Sequence, residues 1–339
     1  GCGCKIAPKV LEEILGDARS FLDHQQLLVG NEHKDDAAVY DLGNGTALIT
    51  TTDFFSPIVD DPFDYGRIAA ANALSDVYAM GGQPLLALAV LGWPVDQLPL
   101  TWVKEILKGA REICKRAGIP LAGGHSIDTP EPVFGLAVNG LVPIPHLKRN
   151  STAQSGDWIL LTKPLGLGIL STAQKRGVLQ EVHLEEMISW MTTLNACGQL
   201  LGQLPGVHAL TDVTGFGLLG HLLEMAEGSG LHAELNYSGL PVASGVREYI
   251  AQRIFPDATT RNWSSFGAQV KFEKGVPVME AFTLLSDPQT NGGLLLAVAP
   301  EAMSQVGEVL QKFQLDVFAQ PIGKFLDSGE KMIVIHPGA

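Results

Sequence analysis

The 339-residue sequence is poor in several features that define common protein classes. Four cysteines are too few for a disulfide framework, so we expect a reducing, cytoplasmic environment. No apolar run reaches the ~18 residues that a membrane-spanning helix needs, and no basic segment before an apolar one marks a signal peptide. Basic residues number 23 against 36 acidic residues, and the net charge of −13 disfavours binding to nucleic acid or to an anionic membrane.

The composition that remains is typical of a folded protein with a large core, because 46% of the residues are hydrophobic and 17% are charged. The length suits about two domains. Predicted strands and helices alternate and give two α/β halves, separated by the Pro143–Pro145 break and a basic patch at Lys148-Arg149. We therefore predict a lead-in over residues 1–30, a first domain over 31–145 and a second α/β domain over 146–339.

The apolar pattern also makes local predictions. It indicates a buried strand over Leu85–Gly92, one long helix over Leu184–Leu204 and a polar stretch around residues 255–276. Cys114 and Cys197 fall inside helical apolar patterns, and we interpret both as small core residues.

The N-terminal segment Gly1-Cys2-Gly3-Cys4-Lys5 places two thiols and an amine on a glycine-rich terminus. Glycine allows close approach to a ligand, and a neighbouring lysine lowers the pKa of a thiol and favours the nucleophilic thiolate. Such a segment is either a reactive arm or a frayed end, and taken alone it is more typical of the latter. The chain opens on glycine rather than methionine, so we expect residues to precede Gly1 in the natural protein.

Aspartates stand at the ends of predicted strands, or inside an apolar helix, in both halves of the chain. They are Asp35 and Asp36 before a strand, Asp53 after a strand, Asp76 in a helix of small apolar residues and Asp212 after a strand. A buried carboxylate needs a partner, and Mg²⁺ binds one or two carboxylates together with phosphate oxygens and water. The pattern predicts a shared cation and phosphate site, which the fold must assemble from residues far apart in sequence.

Glycine-rich segments are the candidate phosphate-binding elements. Ala122–Ser126 follows a predicted short strand and offers backbone N–H groups, an imidazole and a hydroxyl, although a turn with a capping serine is the alternative. No P-loop motif is present. Gly215–Gly220 matches the dinucleotide fingerprint, but Asp212 just upstream would repel a pyrophosphate, so we disfavour a Rossmann fold. Asp287–Gly293 on its own indicates a polar turn.

Seven of these motifs, in this order along the chain, resemble those of the selenophosphate synthetases (selenide, water dikinases). They are Gly1–Lys5, Asp35–Val39, Thr51–Asp53, Asn72–Asp76, Gly123–Ser126, Thr211–Gly217 and Asp287–Gly293. The resemblance extends from Gly1 to about His336. One departure is Asn291, where the family usually has serine.

The resemblance implies ATP-dependent synthesis of selenophosphate from selenide and water, with release of AMP and phosphate. It also implies the α/β (α+β) two-domain fold of aminoimidazole ribonucleotide synthetase, a homodimer, a first domain that binds ATP and Mg²⁺, and a mobile N-terminal arm. The residues matching Mg²⁺ ligands are Asp36, Asp76 and Asp212. Those matching ATP-contacting positions are Lys5, His33, Lys34, Asp35, Asp53, Asp76, Gly124, His125 and Ser126. Cys2 matches the reactive position, and Lys5 matches a residue needed for catalysis.

Two other classes of function stay open at this point. One is another ATP-dependent enzyme of the same superfamily, acting on a ribonucleotide, thiamine phosphate or a hydrogenase precursor. The other is a selenium or metal carrier that uses Cys2 and Cys4, although two thiolates fall short of a closed zinc site. The sequence also leaves open which cysteine contacts selenium, whether a protein delivers selenide, and whether a monovalent cation such as K⁺ is required.

Overall fold

The computed structural model describes residues 10, 14, 24–30, 35–327 and 329–338. The arm Gly1–Lys5, with Cys2 and Lys5, and the predicted ATP contacts His33 and Lys34 lie outside the described residues. The described chain forms two β-sheets, one of six strands from the first half and one of seven strands from the second. The predicted α/β (α+β) class with two halves is thus confirmed.

The first sheet carries two helices on one face. Its strands are β1 (Leu27–Val29), β2 (Ala38–Asp41), β3 (Thr46–Phe55), β4 (Gln83–Trp93), β5 (Leu121–Asp128) and β6 (Val133–Pro143), in the spatial order β1-β2-β3-β6-β4-β5. Only the β4–β5 pair is parallel. The helices are α1 (Pro62–Ala79), capped by the Asp61 carboxylate, and α2 (Leu100–Arg116).

The second sheet is mixed and is accompanied by eight helices in the described chain. Its strands are β7 (Trp158–Leu161), β8 (Val207–Asp212), β9 (His232–Asn236), β10 (Val270–Phe272), β11 (Leu294–Val298), β12 (Gly323–Leu326) and β13 (Ile333–His336), in the order β10-β13-β9-β12-β7-β11-β8. The helices are α3 (Leu167–Lys175), α4 (Glu181–Thr192), α5 (Cys197–Gly202), α6 (Gly217–Ser229), α7 (Val246–Ala251), α8 (Asp257–Phe266), α9 (Val278–Leu285) and α10 (Met303–Lys312).

Helices α1 and α2 touch through their backbones at two glycines. A Cβ atom on Gly66 would lie 1.9 Å from the Ile106 carbonyl oxygen, and one on Gly109 would lie 2.1 Å from the Phe63 carbonyl oxygen. Because no side chain fits there, the glycines set the helix separation. This matters for the site, since α1 carries Asp76.

We expect Gly66→Ala to lower the free energy of unfolding by about 3 kcal/mol, because the new methyl group must force the two helices apart. Gly307→Ala is the matched control. Gly307 lies within α10 with open space around its Cα, so alanine there should raise stability by about 0.5–1 kcal/mol. Urea-induced unfolding followed by circular dichroism measures both effects. Equal stability of the two variants would contradict the close helix contact.

The predicted long helix over Leu184–Leu204 is wrong, because the structure breaks it into α4 and α5. The break is stabilised by side chains from elsewhere: Asn291 Nδ2 donates to the carbonyl oxygens of Met191 and Thr193, and Lys163 Nζ also donates to that of Thr193. Carbonyl groups that would have continued the helix are therefore satisfied by tertiary contacts. The local apolar pattern contains no information about these hydrogen-bond donors from distant parts of the chain.

The polar stretch 255–276, to which the pattern assigned no element, contains α8 and β10. Two other local predictions are corrected. The Lys148-Arg149 pair does not form a basic surface patch, since Lys148 is buried and its Nζ donates to the carbonyl oxygens of Leu204 and Val207. The strand predicted over Leu85–Gly92 is not fully buried. Cys114 and Cys197, by contrast, are buried and free, as predicted.

The face of the first sheet opposite α1 and α2 is open and carries large exposed apolar residues. Phe54, Leu88 and Ile127 are 51%, 39% and 55% exposed. The strand register places Phe54 beside Gly135, Val90 and His125 in one row, so these residues share this face. We call the surface around Phe54, Leu88 and Ile127 the open face.

Candidate functional site

Three aspartates from distant parts of the chain meet where the two halves join. Asp36 precedes β2, Asp76 lies in α1 and Asp212 ends β8. Burial raises the pKa of Asp36 well above its usual range, and the negative charges of Asp212 and Asp76 raise it further. Asp35 adds a smaller effect in the same direction. The structure thus brings together Asp36, Asp76 and Asp212, as the sequence motifs predicted.

A hydroxyl group donates a hydrogen bond to each of the three carboxylates. Thr211 Oγ1 donates to Asp36 Oδ1 at 2.9 Å, Thr51 Oγ1 donates to Asp76 Oδ2, and Ser75 Oγ donates to Asp212 Oδ2. Two of these bonds, Thr211–Asp36 and Ser75–Asp212, connect one half of the chain to the other. The hydroxyls orient one oxygen of each carboxylate.

The cluster also contains a buried acceptor atom. Asp36 Oδ2 has no exposed surface and no hydrogen-bond partner among the described residues. A buried acceptor of this kind is costly unless a cation or donor approaches it. The clustered charges and this oxygen therefore fit a bound cation better than a purely structural acidic cluster.

Protein groups alone do not complete a metal site here. Within the described ranges, no group of three or more histidine, cysteine, aspartate or glutamate side chains is arranged so that it could hold a metal ion. Mg²⁺ takes several of its ligands from phosphates and water, so a complete set of protein ligands is not required for it. The donor set is all oxygen, as Mg²⁺ prefers.

Asp53 and Asp35 flank the cluster and are each held by an amide. Asn72 Nδ2, from α1, donates to Asp53 Oδ2, and the backbone N–H of Asn150 donates to Asp35 Oδ1 at 2.8 Å. Asp53 is thereby fixed against the helix that carries Asp76. Through this bond the Asp35 side chain, in the first half, contacts Asn150 in the second half.

The predicted glycine-rich phosphate loop is wrong as to its structure. Gly124, His125 and Ser126 do not follow a short strand but lie inside β5, an exposed strand at the edge of the first sheet. Asp53, Leu136, Ala89 and Gly124 occupy one row across four strands, so Gly124 lies three strand spacings, about 14 Å, from Asp53. These three residues are thus separated from the aspartate cluster within one chain.

The segment that matches the dinucleotide fingerprint serves helix packing. Strand β8 pairs antiparallel with β11, unlike the parallel sheet of a Rossmann fold. A Cβ atom on Gly220 would come within 2.5 Å of the Phe216 side chain and 2.8 Å of Phe266, so this glycine lets α6 approach its neighbours. The expectation against a Rossmann fold is confirmed.

The Asp287–Gly293 turn has a role that the sequence did not reveal, because it caps the N-terminus of α3. Asp287 Oδ2 accepts hydrogen bonds from the backbone N–H groups of Gly168 and Ile169, and Gln289 Oε1 accepts one from Leu167. Burial raises the pKa of the Asp287 carboxyl to about 8. The turn then continues towards Asn291, which touches the first half of the chain.

Sequence reasoning missed the polar residues that support the aspartates. They are Thr51, Ser75, Lys163, Asn195 and Thr211, all buried. Thr51, Ser75 and Thr211 each stand next to or near a motif aspartate, so their position was a usable signal. No such signal in the sequence pointed to Lys163 or Asn195, because both lie in segments without a recognisable motif.

No helix in the described part of the chain is long and apolar enough to cross a membrane.

Two family models match this chain and together cover most of it. AIR synthase related protein, N-terminal domain, matches residues 34–142, and AIR synthase related protein, C-terminal domain, matches residues 154–336. Among curated relatives, "Selenide, water dikinase" of Cronobacter sakazakii is 54% identical over 338 residues, which is 99% of this chain and 96% of that protein. The protein of the same name from Salmonella typhimurium is 52% identical over the same shares.

Solved structures with this fold include enzymes of other names. Thiamine-monophosphate kinase from Stenotrophomonas maltophilia superposes with a TM-score of 0.66 at 20% identity, covering 99% of this chain and 98% of that one. Hydrogenase maturation protein HypE in complex with ATP gives a TM-score of 0.69 at 20% identity, covering 96% and 90%. At this level of identity the likeness concerns the fold alone.

Proposed function

This chain belongs to the selenide, water dikinase family of AIR synthase related proteins, and we propose how its residues carry out that reaction. It is an ATP-dependent phosphotransferase that makes selenophosphate from selenide, ATP and water. The identity of more than half of all positions over 99% of the chain is the observation that carries this conclusion. The release of AMP and phosphate is part of the proposal.

The aspartate cluster supports a role in binding the triphosphate through metal ions. ATP brings about four negative charges, and the three carboxylates would repel it unless cations lay between them. In our proposal Asp36, Asp76 and Asp212 would hold Mg²⁺, which would supply positive charge to offset the carboxylates and the charge that develops on the phosphates during transfer. The hydroxyls of Thr211, Thr51 and Ser75 keep the carboxylates oriented when no nucleotide is bound.

Only some of the ATP contacts that we propose lie at this cluster. Asp53, fixed by Asn72, and Asp35, fixed by the Asn150 backbone, flank it directly. The segments His33–Asp35 and Gly124–Ser126 remain proposed ATP contacts, together with Lys5. Phosphoryl transfer depends on positioning and charge neutralisation more than on covalent protein chemistry, so a distributed set of polar contacts is suited to it.

The N-terminal arm supplies the reactive groups in our proposal. Cys2 handles or shields the selenium species, and Lys5 stabilises negative charge on the transferred phosphoryl group. Selenide is small and easily oxidised, so an arm that covers the site would protect it from water and oxygen.

We further propose a homodimer formed through the open face of the first sheet. Apolar residues on this face are too exposed for a stable monomer surface, and a second copy of the same face would cover them. We also propose a cytoplasmic location, in line with the free buried thiols of Cys114 and Cys197. Activity assays with and without K⁺, and with and without a selenium-delivery protein, test two further elements of the proposal.

Selenide-dependent formation of AMP from ATP and Mg²⁺ is the experiment that tests the function. We expect AMP and selenophosphate in equal amounts, detected by ³¹P NMR under anaerobic conditions. ADP as the sole product would indicate a different reaction of the superfamily, and selenium binding without nucleotide turnover would indicate a carrier.

We expect Cys2→Ser and Lys5→Ala each to reduce selenophosphate formation by about 10²-fold or more, because each removes a group at the reacting centre. Cys4→Ser is the matched control, since it removes a neighbouring thiol from the same arm. Near-normal turnover of both Cys2→Ser and Lys5→Ala would disprove the proposed role of the arm.

A further inference from the structure

A buried polar network connects the two halves of the chain between Asp53 and Asp212. Its members are Asn72 and Ser75 of α1, Lys163 after β7, Asn195 between α4 and α5, and Asn291 in the turn before β11. None of these five residues exposes any surface. The network includes a lysine, which is rarely fully buried without a specific reason.

Lys163 is the cation at the centre of this network. Its Nζ donates hydrogen bonds to the carbonyl oxygens of Thr193 at 2.7 Å and Asn291 at 2.9 Å. These two bonds tie the end of α4 to the turn before β11. The negative charge of Asp212 also acts on Lys163 and stabilises its charged form.

One branch of the network leads from Lys163 to Asp53. The backbone N–H of Asn291 donates to Asn72 Oδ1 at 2.7 Å, and Asn72 Nδ2 donates to Asp53 Oδ2. The position of the Asn291 backbone therefore determines how Asn72 presents its amide to Asp53. Asn291 has a φ of 48°, a left-handed conformation that asparagine tolerates better than most residues.

The other branch leads to Asp212. Asn195 Nδ2 donates to the Gly292 carbonyl oxygen at 2.9 Å and to Ser75 Oγ at 2.8 Å. Ser75 Oγ in turn donates to Asp212 Oδ2. The turn at 291–292 is thus linked through side chains to a carboxylate in each half.

A lysine in this place is unfavourable for stability. Burial lowers the pKa of Lys163 to about 7, which measures the difficulty of keeping it charged there. Replacing a complete buried ionic arrangement by apolar side chains of similar volume is often neutral or stabilising, whereas removing one member alone leaves its partners unpaired. The network therefore carries a cost that stability alone does not explain.

We propose that Lys163 is a positioning residue for phosphoryl transfer: it fixes the 291–292 turn so that Asn72 and Ser75 hold the carboxylates of Asp53 and Asp212 at a set separation across the junction. The proposal rests on the metal and ATP roles of these aspartates given above. In this arrangement Lys163 does not touch the substrate. It acts through the backbone of the 291–292 turn and the side chains of Asn72, Asn195 and Ser75.

Lys163→Met tests the proposal through metal binding as well as turnover. Free Mn²⁺ is measured by electron paramagnetic resonance, with Mn²⁺ as the probe and a non-hydrolysable ATP analogue present. We expect the half-saturating Mn²⁺ concentration to rise about 10-fold, because outer-shell changes typically weaken metal sites by that factor or more. We expect kcat for selenophosphate formation to fall about 10²-fold. The Tm should fall as it does in Lys148→Met, because each change leaves two buried carbonyl oxygens without their lysine donor.

Lys148→Met is the matched control. Lys148 is also a buried lysine whose Nζ donates to two backbone carbonyl oxygens, but those belong to Leu204 and Val207, outside the network. Its replacement should leave Mn²⁺ binding unchanged. A similar loss of Mn²⁺ affinity in Lys148→Met and Lys163→Met would refute the proposal.

Two further variants separate positioning from general packing. Asn195→Ala cuts the branch to Asp212 without altering Lys163, and we expect the same rise in half-saturating Mn²⁺. Asn291→Gly keeps the backbone N–H and carbonyl that carry the network and tolerates the left-handed conformation, so it should lower the Tm but keep wild-type Mn²⁺ binding. Wild-type Mn²⁺ affinity in both Lys163→Met and Asn195→Ala would overturn the proposal. Absence of selenide-dependent AMP formation in the wild type would instead refute the proposed function.

Discussion

Replacing Asp212 by asparagine is expected to reduce selenophosphate formation by about 10³-fold, one of the largest losses of any single substitution in the described chain. Charge stabilisation of a transferring phosphoryl group by one well-placed group is worth factors of about 10³ or more. Asp212 is almost fully buried and interacts electrostatically with Asp36 and Lys163. Its amide analogue keeps the shape and the hydrogen bond from Ser75 but removes the charge that would attract Mg²⁺.

The stability of this variant should not fall with its activity. Asp36 and Asp212 repel each other, since the charge of Asp212 raises the pKa of Asp36. Neutralising Asp212 relieves that repulsion, so the metal-free Tm should be unchanged or higher. The readouts are the rate of AMP formation and the Tm in the presence of a chelator.

Asp157→Asn is the control for loss of a buried carboxylate. Asp157 is equally buried, yet it pairs with His208 and accepts a hydrogen bond from the backbone N–H of Gln154, away from the aspartate cluster. We expect this variant to lose stability while keeping wild-type turnover per folded molecule. Turnover of Asp212→Asn within tenfold of the wild type would remove Asp212 from the proposed metal site.

The sequence identified the clustered aspartates better than the polar residues that support them. Asp36, Asp76 and Asp212 were recognisable because each is an acid placed beside a strand end or within an apolar helix. Their convergence followed from the expectation that isolated buried acids need a common partner. The structure brings all three together.

The supporting residues were not predictable for a physical reason. Lys163 and Asn291 both donate to the Thr193 carbonyl oxygen, which is a free acceptor only because α4 ends at Thr192. Helix α4 in turn ends there partly because these two side chains bind that carbonyl. Each feature depends on the other, and neither is encoded in a local pattern. The wrong prediction of one helix over Leu184–Leu204 and the missed role of Lys163 therefore have the same origin.

Strand β5 shows a different limit of prediction from the sequence. Glycines at 123 and 124 indicated a loop, because glycine is depleted in strands. In the structure a Cβ atom on Gly124 would lie 2.1 Å from the Ala89 carbonyl oxygen, so the close approach of β4 explains this glycine inside a strand. A glycine in the sequence indicates that another backbone segment lies close to that position, but it does not identify the segment.

The second large effect concerns the open face. We expect Leu88→Glu to convert the proposed homodimer into monomers. Leu88 lies on β4 in the middle of the open face, paired with Ala137 of β6. In a two-fold symmetric interface each substitution occurs twice. Burying an uncompensated carboxylate costs several kcal/mol per ion, so the dimer Kd should rise by about 10³-fold or more.

Sedimentation velocity at micromolar concentrations measures this effect, and Val182→Glu is the matched control. Val182 is 61% exposed on α4, in the second half of the chain and outside the open face, so the same change there should leave the dimer intact. A monomeric wild type, or dissociation of both variants alike, would contradict an interface at the open face.

Selenophosphate formation should fall in parallel with the dimer fraction of Leu88→Glu, because the proposed ATP contacts lie on the same sheet. His125 shares the open face with Phe54, and Gly124 and Ser126 stand beside it in the exposed strand β5. Strand β5 pairs with β4 along one edge only and its residues are mostly exposed, so in our proposal a second copy completes the surroundings of these ATP contacts. A fully active monomer would show that Gly124–Ser126 either bind ATP without the dimer or do not bind it.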